Sequence, residues 1–390
     1  MDFYQQDEKH WSAFLLDILP QGYGKRRLLQ DWPNNTNASD DWYALSIGAA
    51  NPIGNLRIKE AHEHQLLHLV DVSQKYHNGF SLQEIIGSDP AFLEYLVSCH
   101  YGVAGSSGLQ GECPKYLITE SKNGRFFIDG TIDDDQVKQS YILKQPKTVK
   151  NERDTFILHQ EERYLSFAKN IGLKVGKPIQ GFTDCILIPR FDRAIHNNQL
   201  ERIAQESLLT LMNKVGYGIT FYHQEAVQAM QEKCTHAHLD IAEYLLRDMV
   251  NMAFGNRDNH GRNTAFHRYN NHTGISPLFD FAPMYLDQDA IARSAKWQNF
   301  EKLGSVNYVE VIEWIFDKMD CVRSNKGEFF SYLSPVLENF TNVQAIAKES
   351  GINDKVLKQC KEDIAQTQES AILLKEKLNK LCLMQDSRFG

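Results

Sequence analysis

The sequence predicts an α+β protein with two lobes, a small one rich in β-strands and a large one made of helices. Three observations support this fold class. The 390 residues are too many for one small hydrophobic core. Short β-rich segments separated by turn residues come first, and helical periodicity dominates from about residue 195 onward. We therefore predict an N-terminal subdomain, a β-rich lobe and a helical lobe, with the boundaries 1–100, 101–192 and 193–390.

The first two parts contain short elements. The segment SLQEIIGSDPAFLEYLVSCHYG (81–102) is predicted to form helical pieces that break near Pro90, because proline lacks the N–H that a helix interior needs. A helix over residues 158–173 is predicted to end at Gly172, since glycine commonly terminates helices. The predicted strands of the β-rich lobe are KYLITE (115–120), GRFFIDG (124–130), YILKQP (141–146) and CILIPRFD (185–192).

The third part carries the longest helical patterns. Its predicted helices cover residues 201–216, 223–232, 236–254, 308–320, 326–341 and 355–384. The last of them repeats apolar residues at every seventh position, through Leu357, Ile364, Ala371 and Leu378. Such a seam is compatible with a coiled-coil partner, but one helix of this kind more often packs on its own lobe, and we expect that packing.

Composition and charge narrow the functional classes. Hydrophobic residues make up 42% of the chain and charged residues 24%, the balance of an ordinary globular protein. The net charge of −8 gives no basic footprint for direct nucleic-acid binding, and the seven cysteines show no disulfide framework. The sequence shows neither an apolar stretch of membrane-spanning length nor the pattern of a signal peptide. We therefore expect a cytoplasmic protein without a membrane partner.

The stretch FGNRDNHGRNTAF (254–266) places many polar side chains between apolar flanks. Asp258 and Asn263 stand in the pattern D-x-x-x-x-N of the protein-kinase catalytic loop, where the carboxylate orients a substrate hydroxyl and the asparagine binds a metal. This pattern alone is common by chance. Downstream, PLFDFAPMY (277–285) places Asp280 where kinases keep another metal ligand. An aspartate that caps a turn before Pro283 is the alternative interpretation.

Two further features precede these residues in the chain. Lys144 follows aliphatic residues in YILK (141–144), like the strand lysine that neutralises nucleotide phosphates. Glu161 and Glu162 on the next predicted helix are both candidates to orient that lysine. Upstream, YGVAGSSGLQGECPKYLI (101–118) contains regularly spaced glycines. Such glycines let backbone N–H groups approach phosphate oxygens closely, which suits a phosphate-binding loop. The alternative interpretation is a plain flexible turn. The order of these features along the chain is that of a kinase.

The chain also resembles a known family, the HipA-like Ser/Thr protein kinases that are toxins of type II toxin–antitoxin systems. GNRDNHGRN (255–263) is similar to the family's G-N-x-D-x-H-x-K/R-N loop, and SSGLQGECPKYLI (106–118) is similar to its S-G-x-Q-x-K loop. The other segments that carry the resemblance are YILK (141–144), EERYLSFAKNIGL (161–173), LIPRFDR (187–193), FYHQEAVQA (221–229), SPLFDFAPMY (276–285) and FLLDILPQGYGKR (14–26).

The resemblance implies a HipA-type, protein-kinase-like bilobal fold that binds ATP between the lobes. It implies that Asp258 is the catalytic aspartate, that Asn263 and Asp280 bind Mg²⁺, and that Lys144 contacts the phosphates. Within the family the acid that orients the lysine aligns with Glu161, which settles the choice between the two glutamates in its favour.

The resemblance extends to five other positions and to the backbone near the adenine. Arg262 is expected to meet the phosphate charge that develops beside the loop. Phe191, with the backbone of residues 188–190, is expected to hold adenine. Ser107 and Gly108 of the Gly-rich loop are expected to contact the nucleotide. Ser106 and Ser107 are the candidates for autophosphorylation, and the choice between them stays open.

The implied activity is transfer of phosphate from ATP to a Ser or Thr of a protein target. An aminoacyl-tRNA synthetase is the target of the best-known family members, and a helix-turn-helix antitoxin is the implied partner. The chain departs from the family in three places. Gly111, Glu112 and Cys113 look inserted in the Gly-rich loop, Pro189 replaces an acidic hinge residue, and the FLLDILPQGYG segment lies unusually close to the N-terminus.

Two other functions fit some of these residues. The first is a degenerate kinase that acts as a co-repressor or binding module with the antitoxin, against which the complete set of Lys144, Asp258, Asn263 and Asp280 argues. The second is a metal-dependent hydrolase or nuclease that uses Asp258, His260 and Asp280, with His267 as an additional candidate ligand, because carboxylates and magnesium also serve phosphodiester cleavage. Cleavage of nucleic acid without ATP would distinguish the nuclease from the kinase.

Overall fold

A computed structural model describes residues 11–29, 39–98, 113–148, 150–288 and 291–386. Its elements follow the predicted order, with a helical N-terminal part, a β-rich lobe and a large helical lobe. The predicted α+β fold class is therefore confirmed. Within the described residues, the helices are too short or too polar to cross a membrane.

The N-terminal helices divide between the two lobes. Their bounds are α1 Ala13–Ile18, α2 Gly22–Leu29, α3 Asp40–Gly48, α4 Lys59–Lys75, α5 Leu82–Ile86 and α6 Pro90–Ser98. Apolar side chains of α1–α3 form one buried cluster, against which Val215 of the helical lobe packs. Helices α4–α6 instead share a core with the β-sheet. The predicted break at Pro90 is confirmed, because proline occupies the first position of α6, where its missing N–H costs no helical bond.

The β-rich lobe contains a five-stranded antiparallel sheet in the order β2-β1-β3-β5-β4. Its strands are β1 Lys115–Ser121, β2 Phe126–Ile128, β3 Val137–Lys144, β4 Gln180–Phe182 and β5 Cys185–Pro189. Successive side chains of a strand point to opposite faces. Tyr116 and Leu143 therefore pack on α4–α6, while their neighbours Lys115 and Lys144 face the cleft between the lobes. A 3₁₀ turn at Asp134–Gln136 precedes β3.

Helix α7, Glu152–Ile171, packs against the cleft-facing side of the sheet and carries Glu161. It begins earlier than predicted because Asn151 caps it, accepting bonds from the backbone N–H groups of Arg153 and Asp154. Its predicted end is confirmed, since Gly172 follows the last turn with a φ of 111°.

The helical lobe contains α8 Leu208–Leu211, α9 His223–Lys233, α10 Ala237–Ala253, α11 Tyr308–Lys318, α12 Asp320–Ser324, α13 Lys326–Asn339, α14 Val343–Glu349, α15 Asp354–Gln359 and α16 Lys361–Asp386. Two 3₁₀ turns lie at Met284–Leu286 and Phe340–Asn342. Helix α10 is buried along almost its whole length and forms the centre of the lobe. The expected packing of the final helix on its own lobe is confirmed, because Ile364, Ala371 and Leu378 lie in that core.

The remaining short strands are β6 Arg193–His196, β7 Gln199–Arg202, β8 Ala204–Ser207, β9 Phe221–Tyr222, β10 Ala265–Tyr269, β11 His272–Ile275, β12 Ala295–Lys296, β13 Glu301–Lys302 and β14 Ser305–Val306. The helix predicted over 201–216 is therefore wrong. Strand β8 pairs with β10, a partner distant in sequence, and this pairing overrides the local helical pattern. The single helix predicted over 355–384 is also wrong, because α15 and α16 meet at Cys360.

The chain passes between the lobes at residues 190–193 and at residues 49–58, and hydrogen bonds join the two crossings. Arg190 donates to the carboxylates of Asp129 and Asp192 and to the backbone carbonyl of Pro52. Asp192 accepts in turn from the backbone N–H of Gly54 at 2.7 Å. These buried groups fix the hinge beside which the cleft opens. The predicted boundaries at residues 100 and 192 stay predictions.

Candidate functional site

The cleft between the lobes is open to solvent and is lined by both apolar and charged side chains. Its apolar lining includes Ile53, Ile142, Leu165, Ile179, Ile188, Pro189, Phe191, Ala265, Leu278 and Phe279. Its charged lining includes Asp17, Lys115, Lys144, Glu161, Arg262 and Asp280. Five of the residues that the sequence singled out therefore lie around one cavity, namely Lys144, Glu161, Phe191, Arg262 and Asp280.

Lys144 connects the two lobes electrostatically. Its Nζ donates to Oε2 of Glu161 at 2.5 Å and to Oδ1 of Asp280 at 2.7 Å. Burial alone would lower the pKa of Lys144, but the negative charges of Asp280 and Glu161 raise it well above its ordinary value. The ammonium is therefore charged and held in place. Glu162 lies elsewhere, beside Gly181 and Arg163, so the ion pair forms with Glu161.

Lys115 is a site residue to which the sequence interpretation assigned no role. It stands directly opposite Lys144 in the β1–β3 register, and its Nζ lies 3.5 Å from Oδ2 of Asp280. The two lysines thus approach different oxygens of the same carboxylate. The alternating pattern of β1 could have revealed it, because a lysine among apolar neighbours at the start of a buried strand needs a partner.

Asp280 adopts a backbone conformation that few residues tolerate. Its φ is 52°, in the left-handed region where aspartate is one of the more frequent non-glycine residues. Such a conformation costs about 1–3 kcal/mol and is typical of functional sites. Burial would raise the pKa of this carboxyl, but Lys115 and Lys144 hold it well below its usual range, so it is ionised.

Asp258 and Asn263 lie in a tight loop after α10. The loop begins at Gly255, where the φ is 66° and a side chain would lie 2.5 Å from the ring of Tyr285. Asn263 donates from Nδ2 to the backbone carbonyl of Asp258 at 2.7 Å. That bond uses the N–H side of the amide, so the carbonyl oxygen Oδ1 is the atom left to bind a cation.

The environment of Asp258 changes its protonation. Burial raises the pKa of its carboxyl to about 7, and the negative charge of Asp280 acts in the same direction. His260 Nε2 lies 3.8 Å from Asp258 Oδ1, and its Nδ1 accepts a bond from the backbone N–H of Arg262. Burial lowers the pKa of His260 to about 4, so the ring is neutral and stabilises the loop as a hydrogen-bonding group.

Arg262 points to the N-terminal helices. One guanidinium nitrogen donates to Oδ1 of Asp17 at 2.8 Å, and another donates to the carbonyl of Gly216 at 3.0 Å. The Tyr217 ring lies 5.8 Å from the guanidinium carbon. The expected contact of Arg262 with phosphate charge stays a prediction, since these partners already occupy two of its nitrogens.

The apolar part of the cleft lies beside the hinge. The rings of Phe191 and Phe279 are 5.9 Å apart. The backbone N–H of Arg190 donates to the carbonyl of Ser140, and Pro189 has no N–H. In an antiparallel pair this bond leaves Pro189 at a non-bonded position, so its carbonyl points away from β3. Residues 189 and 190 can therefore offer an acceptor to adenine but no backbone donor.

The Gly-rich loop lies outside the described residues, and with it Ser106, Ser107 and Gly108. Their expected roles stay predictions. Cys113, at the end of this loop, is the first residue that the structure describes again, and it is close enough to Lys144 and Lys115 for their charges to act on its thiol. The structure therefore places the end of this loop, where it leads into β1, next to Lys144 and Lys115.

The donor set fits magnesium carried by a phosphate chain. The carboxylate of Asp280 and the amide oxygen of Asn263 are oxygen ligands, which Mg²⁺ prefers. Within the described part of the chain, no group of three or more His, Cys, Asp or Glu side chains has the geometry to hold a metal by itself. Phosphate and water oxygens would have to complete the six ligands of Mg²⁺, as they do in nucleotide sites.

The β-rich lobe, the helical lobe and the charged cleft between them define a kinase-like fold. A model of the HipA-like C-terminal domain family matches residues 107–370. The chain therefore belongs to the HipA-like family, and the resemblance recognised in the sequence is confirmed. No curated protein matches the chain in sequence.

Solved structures share this fold. HipA of Shewanella oneidensis MR-1, described in a complex with HipB and operator DNA, is 14% identical with a TM-score of 0.57, and the match covers 95% of this chain and 86% of that one. The proinflammatory kinase CtkA of Helicobacter pylori is 14% identical with a TM-score of 0.42, over 63% of this chain and 92% of that one. At such identity, the Shewanella match extends to the fold alone.

Proposed function

We propose that the protein is a Mg²⁺- and ATP-dependent kinase that transfers the γ-phosphate to a Ser or Thr hydroxyl of a protein. The observation that carries this proposal is the ion-pair cluster in which Lys144 bonds to Glu161 and Asp280. Lys115 approaches the same Asp280, whose charge also acts on Asp258 of the neighbouring loop. Two ammonium groups beside a metal-binding carboxylate suit a triphosphate, because the nucleotide needs several positive charges at once.

Asp258 is the proposed acceptor of the hydroxyl proton. The raised pKa of its carboxyl suits this task, since a general base works best when its pKa lies near the operating pH. The carboxylate holds the hydroxyl in line for attack on the γ-phosphorus. As the oxygen–phosphorus bond forms and the bond to the β-phosphate oxygen breaks, the hydroxyl proton passes to Asp258.

Asn263 and Asp280 are the proposed Mg²⁺ ligands. When bound, Mg²⁺ neutralises charge on the phosphate oxygens. Lys144 and Lys115 move from the carboxylate of Asp280 to the phosphates, while Glu161 keeps Lys144 oriented. Ile142, Ile188, Phe191 and Phe279 surround the adenine ring, and the carbonyl of Pro189 accepts a bond from its amino group.

The choice of a protein target and a partner to test is motivated by the family resemblance. We propose an aminoacyl-tRNA synthetase as the first target to test and a helix-turn-helix antitoxin as the partner. HipB accompanies HipA in the Shewanella complex, which motivates the second choice. We further propose autophosphorylation at Ser106 or Ser107, because a phosphate dianion in that loop would repel bound nucleotide phosphates.

The proposal is tested by incubating the purified protein with ATP labelled at the γ-phosphate and Mg²⁺. Label should appear on protein, and mass spectrometry should locate part of it on Ser106 or Ser107. Mg²⁺-dependent ATP binding without any transfer to protein would instead favour a degenerate kinase that serves as a binding module. Cleavage of nucleic acid in the absence of ATP would favour the metal-dependent nuclease.

A further inference from the structure

The carboxylate of Asp17 on α1 is saturated with hydrogen bonds from the helical lobe. It accepts from the backbone N–H of Ser207 at 2.8 Å, from the Ser207 hydroxyl at 2.7 Å and from the Thr210 hydroxyl at 2.6 Å. The fourth donor is Arg262, at 2.8 Å. Arg262 belongs to the loop that contains Asp258 and Asn263, which is called the catalytic loop below. Asp17 thus joins the N-terminal helices to two segments of the helical lobe.

The first of these segments, α8, holds the catalytic loop by its backbone. The N–H of Leu208 donates to the carbonyl of Thr264 at 2.8 Å, and the N–H of Leu209 donates to the carbonyl of Gly261 at 3.2 Å. A side chain at position 261 would lie 2.6 Å from Leu209 Cδ2, so glycine permits this close approach. These bonds flank Asn263, the proposed metal ligand.

The second segment is the loop itself, held through Arg262. The Arg262 side chain is only 5% exposed, so its charge needs a partner in place. Its backbone N–H also donates to Nδ1 of His260, whose other ring nitrogen faces Asp258. A shift of Arg262 would therefore move the ring beside the proposed base.

We propose that Asp17 is a positioning residue of the catalytic loop, which it holds through Arg262 and through the start of α8. This inference rests on the proposed kinase function. Helix α1 thereby becomes part of the support of the active site, although it belongs to the N-terminal part of the chain. Asp17 itself touches neither nucleotide nor hydroxyl in this proposal.

The test compares the steady-state kinetics of four purified proteins: wild type, Asp17→Asn, Arg262→Met and the double variant. Asp17→Asn keeps the shape of the side chain but removes its charge. It should lower kcat about 10- to 100-fold, because small displacements of catalytic groups have effects of this size. The KM for ATP should stay within about twofold, since Lys144, Lys115 and the proposed adenine pocket lie on other segments. The double variant should lose less than the product of the two single losses.

The matched control is Asp134→Asn. Asp134 also pairs with an arginine distant in sequence, at 2.8 and 2.9 Å from Arg202, but it contacts neither α8 nor the catalytic loop. The kcat of the Asp134→Asn variant should equal that of the wild type. A kcat of Asp17→Asn within twofold of wild type, or single losses that multiply in the double variant, would overturn the proposal.

A second measurement does not depend on activity. Hydrogen–deuterium exchange of peptides covering residues 257–264 should accelerate in Asp17→Asn and remain unchanged in Asp134→Asn. A wild type that transfers no phosphate refutes the kinase function, while the exchange still decides the role of Asp17. If Asp17→Asn does not fold, Thr210→Val removes one donor to the same carboxylate and carries the test. Unchanged exchange in the folded variant overturns the positioning role.

Discussion

Nζ of Lys144 lies 2.7 Å from Oδ1 of Asp280, so an ammonium group occupies the carboxylate that we assign to Mg²⁺. Lys115 approaches the other oxygen of that carboxylate. A metal ion entering the nucleotide-free site must compete with both cations. Phosphate groups remove this competition by drawing the lysines away, so metal and nucleotide should bind cooperatively.

This competition predicts the behaviour of Lys144→Met. The variant should bind Mn²⁺ about tenfold more tightly than wild type without nucleotide, a difference of about 1.4 kcal/mol, because one competing cation is gone. Its affinity for ATP should fall. Mn²⁺ paramagnetic resonance and nucleotide titration measure the two effects. Lys147→Met is the control, because Lys147 lies near Asp287 instead. Equal or weaker Mn²⁺ binding by Lys144→Met would refute the competition.

The raised pKa of Asp258 predicts a pH-dependent penalty on stability. An aspartate ionises near pH 3.8 in the unfolded chain, whereas Asp258 ionises near pH 7 in the folded protein, so folding is penalised increasingly as the pH rises from about 4 to 7. Asp258→Asn removes that penalty. At pH 8 it should be more stable than wild type by about 1–2 kcal/mol, a value discounted because the side chain is 27% exposed.

Urea unfolding of both proteins at pH 4.5 and pH 8 measures this difference. It should be small at the lower pH and largest at the higher one. Asp287→Asn serves as a control for the loss of a nearby negative charge. A variant that is less stable than wild type at pH 8 would show that the environment favours the ionised form of Asp258.

Cys113 offers a chemical probe of the cleft. Burial raises the pKa of its thiol, although the charges of Lys144 and Lys115 oppose that effect, so alkylation should be slow at neutral pH. Mg²⁺ and ATP together should slow it by a further factor of about 5–10, because bound phosphates would occupy the space around these lysines. Mass spectrometry of the alkylated peptide measures the rate. Cys321, in the helical lobe, should react equally fast with and without nucleotide, and equal protection of both cysteines would argue against a local effect.

Arg190 should be a large contributor to stability. Its side chain is fully buried between Asp129 and Asp192 and joins the two crossings between the lobes. Arg190→Met leaves both carboxylates buried without this partner, so the free energy of unfolding should fall by about 3–5 kcal/mol. Arg202→Met, which removes a more exposed pair with Asp134, should cost about 1 kcal/mol or less. Chemical denaturation measures both values, and similar losses in the two variants would contradict this role of the hinge.

The sequence predicted most of the elements that carry a local signal. Gly172 marks the end of α7, Pro90 the start of α6, and the spacing of Asp258 and Asn263 marks the loop. The prediction failed where pairing between strands that are distant in sequence decides the structure. Strand β8 is an example, because its partner β10 lies about 60 residues further along the chain. The break between α15 and α16 also lacked a signal, since neither glycine nor proline stands at Cys360.

In the candidate site too, residues with a local sequence signal were predicted, and the roles of residues that depend on distant contacts were not. Motif order led to Lys144, Glu161 and Asp280, which the fold brings into contact. Lys115 and Asp17 lie within motif segments, but their roles could not be assigned there, because their partners are 165 and 245 residues away (280 − 115 and 262 − 17). The register of β1 on β3 and the docking of α1 on the helical lobe identify these partners.

The most direct test of the account is transfer of labelled γ-phosphate by wild type, Asp258→Asn and Asp280→Asn under the same conditions. Wild type should label protein in the presence of Mg²⁺. Both variants should lose at least about 100-fold in rate while remaining folded, because one lacks the proposed base and the other a metal ligand. Full transfer by either folded variant would contradict the assignment of this cleft as the kinase site.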